Sequence, residues 1–105
     1  MAYVGINWPV ATPPVDEIYT IDFVNQLREG ETVTGATVSI LTSQGTDADP
    51  SSHLIGSMFI TGDTLVSQRI RGLQAGNIYN VSIVAVTSLG FTPELNSYIV
   101  CEAIF

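Results

Sequence analysis

The sequence contains no lysine, and three arginines are its only strongly basic residues. Against ten aspartates and glutamates they leave a formal net charge of −7 at pH 7. A surface of that sign repels phosphate backbones and anionic lipid headgroups. We therefore expect no nucleic-acid partner and no membrane partner. The acidity itself fits either a highly soluble surface or one that meets a basic partner protein.

Cysteine and histidine are almost absent, with one residue of each type. Cys101 has no second cysteine for an intramolecular disulfide, and its apolar surroundings in the sequence predict a buried, inert thiol. His53 stands beside a predicted loop and is expected to be exposed, with no catalytic partner. Neither a C-x-x-C pair nor a histidine cluster offers a zinc site. The sequence therefore predicts no cofactor, no catalytic residues and no enzymatic activity.

Aspartates in loop-like segments raise the question of calcium, which prefers such oxygen donors. They are Asp47, Asp49 and Asp63. The spacing is broken by Pro50 and by the lack of a downstream glutamate, so we predict a solvated acidic loop and no metal site. Glu29 and Glu31 flank a turn glycine and are likewise predicted to be surface charges.

Long hydrophobic runs are missing as well, although 46% of the residues are hydrophobic. No stretch approaches the roughly 20 apolar residues that a membrane helix needs, and the first residues do not resemble an export signal. The length of 105 residues is typical of one domain with one core. We expect an extended arm over residues 1–17 and a single domain over 18–105.

An alternation of apolar and polar residues indicates strands along most of that domain. The segment EIYTIDFV (17–24) and the segment TVTGATVSIL (32–41) show this period and are predicted to form a hairpin. Residues 42–52 carry loop chemistry. A second hairpin is predicted around Gly62 and Asp63.

The longest strand is predicted in NIYNVSIVAVTSLG (77–90), where Tyr79, Val81, Ile83 and Ala85 share one face. The final run, SYIVCEAIF (97–105), is predicted to pair within a sheet. Six or so short strands without a helical period favour an all-β sandwich.

Residues 72–86, GLQAGNIYNVSIVAV, resemble the penultimate strand of fibronectin type III and related immunoglobulin-like sandwiches. The matching positions include Leu73, Gly76 and Tyr79. The resemblance implies that Tyr79 forms a tyrosine corner, with its ring packed at the sandwich edge and its hydroxyl bonded to backbone a few residues upstream. Asn77 departs from the threonine that is usual there.

A second resemblance covers more of the chain. A tryptophan-proline arm, PPVDEIYTIDF, LREGETVTGATVSI and GLQAGNIYNVSIVAVTSLG look like the small immunoglobulin-like virion proteins of tailed bacteriophages. Those known as fiber-tail adaptors have the most similar pattern. The resemblance implies a multi-copy structural protein of the virion, assembled in the host cytoplasm, whose partners are tail, neck, fiber or capsid subunits.

The arm supplies the predicted partner-binding residues, which are Tyr3, Ile6, Trp8 and Val10. Pro9, Pro13 and Pro14 exclude a regular helix and favour extended backbone. The arm either folds back along the edge of its own sandwich or binds a neighbouring subunit by strand addition or with Trp8 as a buried anchor. The sequence alone leaves both arrangements open.

The function expected from these features is that of an adaptor joining tail or neck components to fibers. Two alternatives remain. The first is a capsid decoration protein that cements neighbouring shell subunits, which differs from an adaptor in copy number. The second is an adhesive or carbohydrate-binding module, which would need an exposed aromatic platform.

Overall fold

Our computed structural model describes residues 16–101 and, through the backbone alone, residues 2–4. Within these residues there are seven β-strands and two short 3-10 turns. The strands are β1 (Ala2–Val4), β2 (Asp16–Asp22), β3 (Val33–Gln44), β4 (Leu54–Thr61), β5 (Leu65–Arg71), β6 (Ile78–Thr87) and β7 (Glu94–Val100). The 3-10 turns are Val24–Gln26 and Pro50–His53. No helix in this part of the chain is long and apolar enough to cross a membrane.

The strands form two sheets with the orders β1-β2-β5-β4 and β3-β6-β7. All neighbouring strands run antiparallel except β1, which runs parallel to β2 and pairs Ala2 with Ile18 and Val4 with Thr20. The predicted domain boundary at residue 18 falls inside β2, which begins at Asp16.

Side chains from both sheets meet in one hydrophobic core, as in a sandwich. The four-stranded sheet contributes Tyr19, Ile21, Val66 and Ile70, and the three-stranded sheet contributes Ile40, Tyr79, Val81, Ile83 and Ile99. The alternation predicted for β6 is confirmed, because its inward residues are buried and Asn80 and Ser82 point to the other face. The predicted all-β architecture is confirmed with it.

The first predicted hairpin is wrong. The strands that hold residues 17–24 and 32–41 lie in different sheets, since β2 pairs with β1 and β5 while β3 pairs with β6. After β2 the chain turns at Asp22, whose Oδ1 accepts a hydrogen bond from the Val24 N–H at 2.9 Å, and it then crosses to the other layer. Both strands have one apolar face, and packing those faces against each other buries more apolar surface than pairing the edges would.

The second predicted hairpin is confirmed. β4 and β5 pair antiparallel, and Thr61 lies opposite Leu65. Gly62, Asp63 and Thr64 lie between this pair, and the Thr64 N–H donates to the Thr61 carbonyl at 3.4 Å. Gly62 and Asp63 have φ values of 59° and 63°, the left-handed conformation that both central residues of a type I′ turn require. The expected pairing of the C-terminal run is observed for β7, which pairs with β6, while residues 102–105 lie outside the described residues.

Candidate functional site

A cluster of hydrogen-bonded polar side chains closes the end of the sandwich where β6 begins. It consists of Asp47, His53, Asn77 and Tyr79, and we call it the polar corner. Asp47 Oδ2 accepts hydrogen bonds from the Tyr79 hydroxyl at 2.7 Å and from His53 Nε2 at 2.7 Å. The Tyr79 hydroxyl in turn accepts from Asn77 Nδ2 at 3.2 Å and from the Gln74 backbone N–H at 3.0 Å. One phenol thus joins the β3–β4 connection to the turn before β6.

The loop of the polar corner is shaped by a glycine and an asparagine. Gly45 has a φ of 110°, and a Cβ at this position would overlap Asn77 Oδ1. That same oxygen accepts the Thr46 backbone N–H at 3.1 Å, and the Thr42 hydroxyl donates to the Asp47 carbonyl at 3.1 Å. The close approach of backbone to the Asn77 side chain therefore requires glycine at position 45.

His53 lies between two acceptors. Its Nδ1 is 3.0 Å from the Arg71 carbonyl oxygen, and its Nε2 is 2.7 Å from Asp47 Oδ2. A neutral imidazole has one N–H, so both contacts are hydrogen bonds only when both ring nitrogens carry protons. The imidazole is thus held between a carboxylate and a backbone carbonyl, with the Tyr79 ring edge-on to it at 5.8 Å between centroids.

Burial and hydrogen bonding act in opposite directions on Asp47. Burial raises its pKa, but hydrogen bonds from Tyr79, from His53 and from the Asp49 N–H outweigh this and hold the pKa below its ordinary value. Burial is also the main reason that the pKa of Tyr79 is raised, and the Asp47 charge raises it further. The corner therefore favours an ionised Asp47 and a protonated Tyr79.

Two sequence predictions about this corner are wrong. His53 is buried and hydrogen-bonded, although an exposed histidine was predicted. The side chain of Asp47 is only 4% exposed, although a solvated loop acid was predicted. Besides contacting each other, these two residues bind the Tyr79 hydroxyl of β6 and the Arg71 carbonyl at the end of β5, which local sequence does not reveal. The solvent exposure predicted for Asp49 and Asp63 is confirmed.

The polar corner contains a carboxylate and an imidazole in direct contact, as an acid–base pair would. The second nitrogen of His53 binds a backbone carbonyl rather than a nucleophile, and both side chains of the ion pair are almost fully buried. Within residues 16–101 no group of three His, Cys, Asp or Glu side chains is arranged to hold a metal. The predicted burial of Cys101 is confirmed, and burial raises the pKa of its thiol.

The opposite end of the sandwich buries a second carboxylate, which we call the Glu31 latch. Glu31 was predicted to be a surface charge, and this is wrong, because its side chain is fully buried. Its carboxylate accepts hydrogen bonds from the Thr87 hydroxyl and from the Arg28 N–H, the latter at 2.7 Å, and these lower its pKa. The Arg28 guanidinium lies 3.6 Å above the Phe91 ring. Glu29, as predicted, is exposed.

The predicted site residues are placed as follows. Leu73 and Tyr79 are buried at the corner, and Gly76, with a φ of 83°, donates its N–H to the Cys101 carbonyl at 2.9 Å. In the arm, the backbone of Tyr3 pairs with Tyr19 of the same chain, and the Tyr3 side chain is not described. Ile6, Trp8 and Val10 lie outside the described residues.

Sequence reasoning missed an exposed apolar surface on the outer face of the three-stranded sheet. Leu41 is 66% exposed, Tyr98 45% and Val100 40%. The pairing of β3, β6 and β7 puts Leu41 and Tyr98 on either side of Asn80, with Ile78 and Val100 in the next row. The sequence did carry a signal for this surface. Leu41, Tyr98 and Val100 are large apolar or aromatic residues at outward positions of strands whose inward positions are already apolar.

No protein-family model and no curated protein sequence matches this chain.

Proposed function

We propose that the chain is an immunoglobulin-like sandwich that serves as a non-enzymatic structural protein of a tailed bacteriophage virion. Its strand order supports the fold assignment. If β1 to β7 are named A to G, the two sheets have the orders A-B-E-D and C-F-G, which is the arrangement of constant-type immunoglobulin domains. The parallel pairing of β1 with β2 is a difference from that pattern.

The corner at the start of β6 supports the same assignment. A tyrosine corner has a tyrosine near the start of strand F whose hydroxyl bonds to backbone a few residues upstream. Tyr79 is the second residue of β6, and its hydroxyl accepts the Gln74 N–H five residues earlier. The strand order together with this corner is the observation that carries the proposal, because the virion proteins that the sequence resembles are sandwiches of this type.

Within the virion, we propose the role of an adaptor that joins tail or neck components to fibers. In the described part of the chain, His53, Asp47 and Glu31 are the kinds of side chain that a hydrolase would use. Here they form hydrogen bonds that connect loops to the sheets. The arm offers a means of attachment, since only three residue pairs hold residues 2–4 on β2. A strand held by so few residue pairs can exchange with the equivalent strand of a neighbouring subunit, or add to a sheet of another virion protein.

The proposal is tested on purified particles of the phage that carries the gene. Quantitative mass spectrometry is expected to find the chain in tens of copies or fewer per particle. Hundreds of copies would replace the adaptor by a decoration protein, and absence from the particle would end the virion assignment.

The arm is tested by deleting residues 1–14 in the same phage. The expected particles lack fibers, while the purified truncated chain retains the β-rich circular dichroism of the full chain. Particles with normal fibers would contradict a role of the arm in attachment.

A further inference from the structure

The outer face of the three-stranded sheet is nearly uncharged. We call it the neutral face and define it by Leu41, Ile78, Asn80, Tyr98 and Val100. Among the described residues of β3, β6 and β7, the only charged side chain is Glu94, which accepts a hydrogen bond from the Ser82 hydroxyl. This is unusual on a chain with ten acidic residues and a net charge of −7.

The other outer face provides the contrast. β2 and β5 carry two aspartates and two arginines on it, and Asp16 forms a bidentate ion pair with Arg69 at 2.7 and 2.8 Å. This pairing lowers the pKa of Asp16. One face of the sandwich is thus occupied by fixed charges, and the other presents large apolar side chains to solvent.

Net charge restricts what can bind the neutral face. Two copies of this chain repel each other over most of their surface, because each carries the same negative charge. The neutral face removes that repulsion at the point of contact, and interface centres are typically poor in charge and rich in aromatic residues such as tyrosine. A basic partner would instead be expected to meet a face lined by carboxylates.

We propose that the neutral face binds the same face of a second copy of this chain in a two-fold symmetric dimer. A two-fold axis brings one surface patch against itself, which suits a face that carries apolar groups and an amide that can both donate and accept hydrogen bonds. This inference does not depend on the virion assignment.

The size of the neutral face sets the strength of the dimer. Three strands about 4.8 Å apart, with a rise of about 3.3 Å per residue, give the whole outer face of this sheet roughly 450 Å² in projection over the ten residues of β6, and the neutral face is only a part of it. This is below the roughly 800 Å² per partner of a standard stable interface. We therefore expect a weak dimer with a dissociation constant of about 10 μM to 1 mM.

Asn80 gives the face a polar centre. Its Oδ1 is buried and has no hydrogen-bond partner within the described chain, and it lies between Leu41 and Tyr98 in the strand register. An acceptor without a partner is costly. When the amide turns outward, it offers both a donor and an acceptor to Asn80 of the second copy.

The test is sedimentation velocity of the full chain from 1 μM to 1 mM. Two variants place a charge on the neutral face, Tyr98→Glu and Leu41→Glu. The matched control is Phe59→Glu, because Phe59 is an aromatic residue of β4 with 44% exposure, against 45% for Tyr98, and lies outside the neutral face. Circular dichroism confirms that each variant is folded.

The expected result is a monomer–dimer equilibrium for the wild type and for Phe59→Glu, weakened at least tenfold in both face variants. Raising NaCl from 20 to 500 mM is expected to strengthen the dimer, because salt screens the repulsion between two acidic chains. A wild type that stays monomeric at 1 mM would overturn the proposal. So would a dimer that the face variants leave intact, or one that Phe59→Glu weakens equally.

Discussion

The two ends of the sandwich each bury one carboxylate, but they hold it with different partners. At the polar corner, Asp47 is bound by an imidazole and a phenol that come from separate parts of the chain. At the Glu31 latch, the partners are the local Arg28 N–H and one hydroxyl, while the Arg28 guanidinium is 3.5 Å away and its side chain is 56% exposed. The corner therefore depends on a closed set of buried side chains, and the latch on its own turn together with one hydroxyl from the end of β6.

Removing the carboxylate of the corner is expected to have the largest effect. Asp47→Ala leaves His53 without its acidic partner in a buried position, and breaking a buried pair in this way costs about 3–5 kcal/mol. Glu31→Ala, the matched change at the latch, is expected to cost less, because Arg28 is free to turn into water. Urea unfolding of both variants gives the comparison. A larger loss for Glu31→Ala would reverse the order of the two ends.

The next effect concerns the glycine of each end. Gly45→Ala would put a Cβ into Asn77, 2.7 Å from its Cγ, whereas a Cβ at Gly30 meets no atom within 4 Å. Both glycines have positive φ, so backbone strain of about 1 kcal/mol is common to the two variants. We expect Gly45→Ala to lose about 2 kcal/mol more than Gly30→Ala, because either the loop or Asn77 must move. Equal losses in thermal unfolding would show that the loop adapts freely.

A smaller effect is expected from removing one hydroxyl at each end. Tyr79→Phe keeps the ring in the core but removes a donor to Asp47 and an acceptor for two N–H groups, at a cost of about 2 kcal/mol. Thr87→Val removes the hydroxyl that donates to Glu31 and is expected to cost less, since the Arg28 N–H remains in place. The urea midpoints of the two variants give the comparison. A larger loss of stability for Thr87→Val than for Tyr79→Phe would mean that the latch is the more cooperative end.

This contrast explains what could be predicted from the sequence. The alternation in residues 77–90 and the Gly62–Asp63 turn depend on neighbouring residues, and so β6 and the β4–β5 hairpin were predictable. His53, Asp47 and Glu31 depend on partners far along the chain, such as Thr87, which is 56 residues from Glu31. A loop that is rich in Asp, Ser and Gly is predicted to be solvent-exposed from its composition. Its sequence does not show which distant side chains pack against it in the fold. The hairpin predicted between β2 and β3 was wrong for the same reason, because the actual antiparallel partners of these strands are β5 and β6, which lie far along the chain.

The smallest expected effect is the acid dependence of the corner. The pKa of Asp47 in the folded chain lies below the ordinary value of 3.8. A carboxyl of this kind contributes stability above its unfolded-state pKa and loses it as pH falls through the lower folded-state pKa. The wild type should therefore have a larger free energy of unfolding than Asp47→Asn at pH 5, and this difference should shrink toward pH 2.

Unfolding by urea at half-unit steps of pH measures this difference, and the control is Asp63→Asn, the same change at an exposed turn. Asp63→Asn is expected to follow wild type at every pH. If the gap between wild type and Asp47→Asn were constant from pH 5 to pH 2, the ionised carboxylate would not be what stabilises the corner. The network would then act through shape and neutral hydrogen bonds, and the two ends would differ less than their geometry implies.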